Sequence, residues 1–252
     1  MSLPVALVES QPRVLARVAG EAVSRFFEDE HRAHGVDLYL GSGVRELQGR
    51  DGRVAAVVLE DGRRLAAELV IAGIGLLPEV DPLLAAGADG GNGVRVDARC
   101  CTSLADVFAI GDCALHRNRY ARGAEVRLES LQNANDQALV AAREILGDGR
   151  DYDALPWFWS NQYDVRLQTA GLSGGHDAAV LRGDPDRRGF SVIYLRQGRV
   201  IALDCINAAP DYAQGRSLVA AGAEVAPAAL ADPAIPLKQH LSAALPASVH
   251  ED

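Results

Sequence analysis

Thr102-Ser103-Leu104-Ala105-Asp106-Val107-Phe108-Ala109-Ile110-Gly111-Asp112-Cys113-Ala114 is the stretch that decides how this chain folds. Residues 107–110 are a short, continuous apolar run of the kind a buried parallel strand requires. The run stops abruptly at Gly111-Asp112. A strand that ends on glycine lets a ligand approach the backbone, and a carboxylate one position later can accept hydrogen bonds from a polyol. Small Cys113 and Ala114 are then expected to open a helix, whose unpaired N–H groups suit a pyrophosphate. An ordinary strand closing in an Asp turn explains residues 111–114 equally well, so the flanking sequence has to decide.

Downstream, Arg127-Leu128-Glu129-Ser130-Leu131-Gln132-Asn133-Ala134 starts a long helix over 130–146, with Ser130 as N-cap and Gly147 as its stop. Free amides at such a helix start, Leu131 among them, can bond an electron-rich ring edge, which the helix dipole also favours. Upstream, the apolar residues 69–72 predict another buried strand, closed by Gly73-Ile74-Gly75-Leu76-Leu77-Pro78. There Gly73 and Gly75 let the backbone come close to a nucleotide, and the proline turns the chain away.

Near the start, Val5-Ala6-Leu7-Val8 reads as a strand ending at Glu9. The spacing of Val14, Leu15, Val18, Val23, Phe26 and Phe27 predicts a helix over 12–34, and residues 36–40 a further strand. A carboxylate in the position of Glu9 can hold the ribose hydroxyls of a dinucleotide and repel a 2′-phosphate. A solvated strand end is the plainer reading of it. Asp51-Gly52 and Asp61-Gly62 both carry the type I′ hairpin signal.

Residues 150–156 read as a boundary, after which short strands follow at 166–169, 179–181, 191–195 and 200–207, then a helix over 213–221. The first strand-like segment beyond the boundary is Pro156-Trp157-Phe158-Trp159-Ser160-Asn161-Gln162-Tyr163. Alternation places Trp157 and Trp159 on one face, where they are either core or a shield for a flat ring. Parallel α/β organisation followed by an antiparallel α+β part is the expected fold class.

Composition narrows the function. The 252 residues suffice for two modest domains, and 48% hydrophobic residues is ordinary for a globular protein. No apolar run reaches membrane-spanning length and no leader is evident, so the expected location is cytoplasmic, without membrane contact. The net charge of −9 argues against a nucleic-acid partner. Cys100, Cys101, Cys113 and Cys205 show neither C-x-x-C nor zinc-ligand spacing, so neither a metal site nor a redox disulfide is expected.

Taken in order, the acidic strand end at Glu9, G-x-G-x-x-P at 73–78, T-S-x-x-x-V-F-A-x-G-D-C-A at 102–114, R-L-E-S-x-x-N-A at 127–134, P-W-F-W-S-x-Q-Y-D at 156–164 and Ala202-Leu203-Asp204-Cys205-Ile206-Asn207-Ala208 resemble the FAD-dependent NADH:ferredoxin reductases of the putidaredoxin-reductase and rubredoxin-reductase type. The resemblance covers nearly the whole chain. It implies FAD and NADH as cofactors and a small 2Fe-2S ferredoxin as partner, serving a cytochrome P450 or a ring-hydroxylating dioxygenase. It further implies that Gly111 and Asp112 meet the flavin ribitol, that Leu131 gives backbone contact to the flavin ring, and that Trp157 lies near the isoalloxazine. Glu9, Gly73 and Gly75 would face the nicotinamide nucleotide.

The matching architecture is a two-dinucleotide-domain flavoprotein reductase with Rossmann-like parallel sheets, here incomplete. Residues 1–76 are expected to be part of the NAD domain and 77–153 the later half of the FAD domain, with 154–252 as the partner-facing domain. Neither Gly-rich fingerprint of the family occurs in this sequence. The expectation is therefore a C-terminal portion of such an enzyme that by itself holds no FAD. The alternatives are an inactive remnant acting only as a folded or protein-binding module, and a nitrite-reductase or NADH-oxidase relative. The second is disfavoured by W-F-W-S and by the lack of a redox cysteine. Arg166, Arg182, Arg187 and Arg188 are candidates for a basic face toward an acidic ferredoxin.

Overall fold

Val5–Glu9 forms β1, and its parallel partner β2 (Val36–Leu40) is reached through α1 (Glu21–Ala33), in the register Val5↔Val36 to Glu9↔Leu40. This βαβ unit belongs to the first of two compact units, Met1–Gly75 and Leu76–Asp252, in a computed structural model that describes residues 3–244. α1 turns Val23 and Phe27 inward and also buries Glu28, whose carboxylate is held by Arg25 at 2.9 Å. The helix is shorter than its apolar spacing predicts. Leu15 adopts a left-handed φ of 56°, and the Arg13 guanidinium and Ser24 hydroxyl take the carbonyls of Ala19 and Val14, so residues 12–20 form a side-chain-braced loop.

The first unit continues with β3 (Val44–Arg50), β4 (Arg53–Leu59) and β5 (Arg64–Ala66), an antiparallel sheet in that order. Between β3 and β4, Asp51 (φ 55°) and Gly52 (φ 74°) are both left-handed, as a type I′ turn requires. Asp61-Gly62 differs, because only Gly62 is left-handed there and the Asp61 carboxylate instead accepts from the Arg63 amide. The strand expected over 69–72 does not form. β1 and β2 pair only with each other, so no third ladder is offered to it among the described residues. Ile71 is 88% and Ile74 94% exposed.

The second unit opens with α2 (Asp81–Ala85) and a four-stranded sheet, β6 (Gly90–Gly91), β7 (Gly93–Val96), β8 (Ala114–Asn118) and β9 (Ala124–Val126), in which β7 and β8 are parallel. α3 (Leu131–Ile145) follows. The remainder is an antiparallel sheet in the order β10-β11-β14-β13-β12, from Trp157–Gln162, Val165–Gly171, Arg199–Ile206, Gly189–Arg196 and Ala178–Asp184 respectively. α4 (Ala209–Ala221), α5 (Pro227–Ala231) and α6 (Gln239–Ala244) accompany it. Its core joins Ile193, Leu195, Leu203 and Leu218 to Leu230 and Leu237 from the segments after α4. Among the described residues no helix is long and apolar enough to cross a membrane.

Two expectations for the deciding stretch are corrected. Residues 107–110 make no parallel ladder. They fold back on 100–102 through one antiparallel bridge, Cys101↔Phe108, with Thr102 N donating to Val107 O and Ala109 N to Cys100 O. No helix opens at Cys113 either, because a single 3₁₀ turn, Gly111–Cys113, leads straight into β8. The backbone N–H groups after Cys113 are committed to a sheet, so no helix start stands there to receive a pyrophosphate.

Candidate functional site

The 3₁₀ turn and the start of α3 meet at a cleft of about 480 Å³, lined by residues 110–112 from one segment and by Glu129, Ser130, Leu131 and Ala134 from the other. Gly111 is left-handed (φ 70°), and a Cβ there would stand 3.1 Å from Ala134 Cβ, so a side chain would be strained by the backbone and would crowd α3. The half-buried Asp112 carboxylate meets no protein donor among the described residues, whereas its backbone carbonyl accepts from Arg127 Nη1 at 2.7 Å. Arg127 is largely buried and also pairs with Glu129 at 2.7 Å. One guanidinium thus ties both walls of the cleft together.

At the α3 start, Ser130 caps as its sequence predicts. Its hydroxyl accepts from Asn133 N at 3.1 Å and its carbonyl from Ala134 N. The amides of Leu131 and Gln132 are left as orphan donors of the first turn, where the helix dipole is positive. Leu131 itself is 63% exposed at this point. The amide of Trp157, the first residue of β10, donates to Gln132 Oε1 at 3.4 Å, which docks the tryptophan strand against the first turn of α3. Trp157 and Trp159 stack at 5.3 Å on one face, as alternation predicts, while Trp157 also packs on the β-sheet core. Gly111, Asp112, Leu131 and the start of the Trp157 strand are therefore neighbours. Trp157 does not line the cleft.

The donor set suits one part of FAD and not another. An unpaired carboxylate opposite two orphan amides matches a polyol and the electron-rich edge of a flavin ring. The strand that follows the turn offers no cradle for the pyrophosphate. Thiolate chemistry at Cys100 and Cys205 is disfavoured, since burial pushes both thiols up to about 12.

In the first unit, Glu9 ends β1, and its Oε1 accepts from Gln11 N at 2.8 Å and from Ser10 Oγ. Its second oxygen, Oε2, meets no donor among the described residues. Gly73 and Gly75 lie in the irregular stretch after β5, and a Cβ on Gly75 (φ 92°) would meet Arg17 Nη1 at 3.1 Å.

The arginines expected to form a docking face mostly have other work. Arg182 is buried (4% exposed) on Asp211, Arg188 pairs with Asp164, and Arg187 with Asp184. Only Arg166 remains an exposed arginine of that set without a carboxylate partner among the described residues. Sequence reasoning missed Arg127 and a buried polar cluster beneath the cleft. The available signal was Asn133 and Gln137, four apart on the face of α3 that also buries Val140 and Ala141.

Residues 2–138 match the family model for pyridine nucleotide-disulphide oxidoreductases, and residues 157–241 match the reductase C-terminal model. The 5,5'-dehydrodivanillate O-demethylase ferredoxin reductase subunit of Sphingobium sp. (strain NBRC 103272 / SYK-6) is 58% identical over 93% of this chain and 57% of its own length. A crystal structure of a ferredoxin reductase from Rhodopseudomonas palustris superposes with a TM-score of 0.90 and 39% identity, over 96% of this chain and 59% of that one. The covalent putidaredoxin reductase–putidaredoxin complex also matches at TM-score 0.90 and 39% identity, covering 95% and 58%. The chain thus spans somewhat over half the length of the relatives it matches.

Proposed function

We propose that this chain, which belongs to the pyridine nucleotide-disulphide oxidoreductase family and ends in that family's reductase C-terminal domain, supplies the flavin-ring, nicotinamide and partner-facing parts of an NADH:ferredoxin oxidoreductase. The observation that carries the reading is the donor-free Asp112 carboxylate facing a cleft it shares with the orphan amides of Leu131 and Gln132. FAD held there would supply the exchange between the two-electron chemistry of NADH and the one-electron chemistry of a 2Fe-2S ferredoxin, one that serves a P450 or ring-hydroxylating dioxygenase. Asp112 accepts hydrogen bonds from the ribityl hydroxyls. The amides at the start of α3 and the helix dipole stabilise negative charge at the pyrimidine edge, which raises the ring's electron affinity. Trp157, outside the cleft lining, anchors β10 to the first turn of α3 through its amide. Residues 1–76 form the nucleotide part, 77–153 the flavin part and 154–252 the ferredoxin side of a cytoplasmic enzyme.

Glu9 determines which nucleotide is used. Its unpaired carboxylate oxygen accepts ribose hydroxyls and repels a 2′-phosphate. The complete gene product, assayed by NADH-driven reduction of a 2Fe-2S ferredoxin, is expected to prefer NADH over NADPH about tenfold or more in kcat/KM, and Glu9→Ala to narrow that gap. Equal use of NADPH by the unmutated protein would overturn the role of Glu9. A gene product that takes up no FAD would leave a folded, protein-binding module instead.

A further inference from the structure

Beneath the cleft lies a buried set of polar side chains that none of the roles above uses. Gln137, fully buried on α3, accepts at Oε1 from the Gly111 amide at 2.7 Å and from Asn133 Nδ2 at 3.3 Å. Its Nε2 faces His116 Nδ1 at 3.3 Å. Asn133, also fully buried, donates to the Leu128 carbonyl at 3.0 Å and accepts from the Tyr152 hydroxyl at 2.8 Å. The Tyr152 ring in turn stands edge-on to His116, with centroids 5.2 Å apart. Burial lowers the His116 pKa, which favours the neutral ring, and an unprotonated Nδ1 of that ring accepts a hydrogen bond from the Gln137 amide.

One wall of the cleft is carried by Gly111 and the other by the chain that begins at Leu128. Two amide side chains, one helical turn apart, hold both. A buried primary amide is costly unless its bonds are made, and an apolar residue at 137 would fill the same space without touching the Gly111 N–H.

We infer that Gln137, acting with Asn133, is a positioning residue for the flavin cleft: it holds Gly111 in its left-handed conformation so that Asp112 presents its carboxylate, and it fixes the spacing to the α3 start. The inference rests on the reading of this cleft as the FAD site.

Gln137→Met keeps the volume and removes the acceptor, whereas Gln137→Glu keeps an acceptor for Gly111 and Asn133. Two measurements on the complete gene product separate them, backbone hydrogen exchange at Gly111 and Asp112 in the FAD-free protein, and FAD affinity. Gln137→Met is expected to speed exchange and to weaken FAD about tenfold or more, and Gln137→Glu to restore most of both. Should Gln137→Met fail to fold, Gln137→Asn withdraws the acceptor by one methylene and carries the same expectation. Exchange and affinity within about threefold of wild type in Gln137→Met, or equal loss in the Met and Glu variants, overturns the inference. Asp112→Ala run alongside distinguishes the failures. If it binds FAD normally, the flavin reading itself falls. If it is impaired while Gln137→Met is not, only the positioning role falls.

Discussion

Asp112→Ala in the complete gene product is expected to abolish stable flavin retention. The carboxylate is the acidic group in the cleft that meets no protein donor, so nothing internal competes with a ribityl hydroxyl for it. Charge-assisted hydrogen bonds contribute about 1.5–3 kcal/mol each, and losing one or two of them weakens FAD by roughly one to four orders of magnitude. The purified variant should emerge from gel filtration colourless, where the parent is expected to be yellow. Thermal unfolding of the FAD-free form should hardly change, because the side chain supports no other group. Asp112→Asn separates charge from shape and should fall between the two. A flavin content equal to that of the parent would refute the assignment of this cleft.

The second large effect concerns folding. Arg182→Met should destabilise the second unit by about 3–5 kcal/mol, the usual cost of removing one member of a buried pair. Arg182 binds Asp211 of α4 at 3.0 Å and also donates to the carbonyls of Leu230, Asp232 and Ile235. One guanidinium therefore joins β12 to α4 and to the segment that ends in α5 and runs on past it. The variant leaves Asp211 with the Ser191 hydroxyl and the carbonyls of Leu230, Asp232, Pro233 and Ile235 without the guanidinium. Urea denaturation followed by circular dichroism measures the loss. A change of about 1 kcal/mol or less would show that water replaces the guanidinium freely. Ferredoxin affinity should be unaffected in the fraction that remains folded, since the charge faces inward.

Elements built from local rules were legible in the sequence. β1, β2, the Asp51-Gly52 turn, α3 with its Ser130 cap and the antiparallel strands of the second unit all follow from periodicity, glycine punctuation and capping. So did Asp112 and Leu131 as neighbours, because the resemblance supplied an order that spacing alone does not. Elements decided by a partner elsewhere in the chain were not legible. Residues 69–72 have a strand's composition, yet a strand exists only where another lies beside it. Residues 107–110 spend their hydrogen bonds on 100–102, a pairing that apolar content does not announce. The turn after Gly111 runs into a strand because β7 lies ready as a parallel neighbour. Arg182 looked like a surface charge because a sequence does not reveal that Asp211 and four carbonyls surround it. Gln137 gave no signal of its own, because the Gly111 amide it accepts from lies 26 residues away in the chain.

Both tryptophans of the chain sit on β10, stacked on each other and one hydrogen bond from the first turn of α3. Intrinsic tryptophan emission therefore samples a single strand beside the cleft and carries no signal from residues 1–75, which hold neither indole. A titration with flavin has a native optical gauge at the place where it matters. The first unit carries no indole of its own, so a fluorescence transition and a far-ultraviolet transition that fail to coincide would report two units unfolding separately.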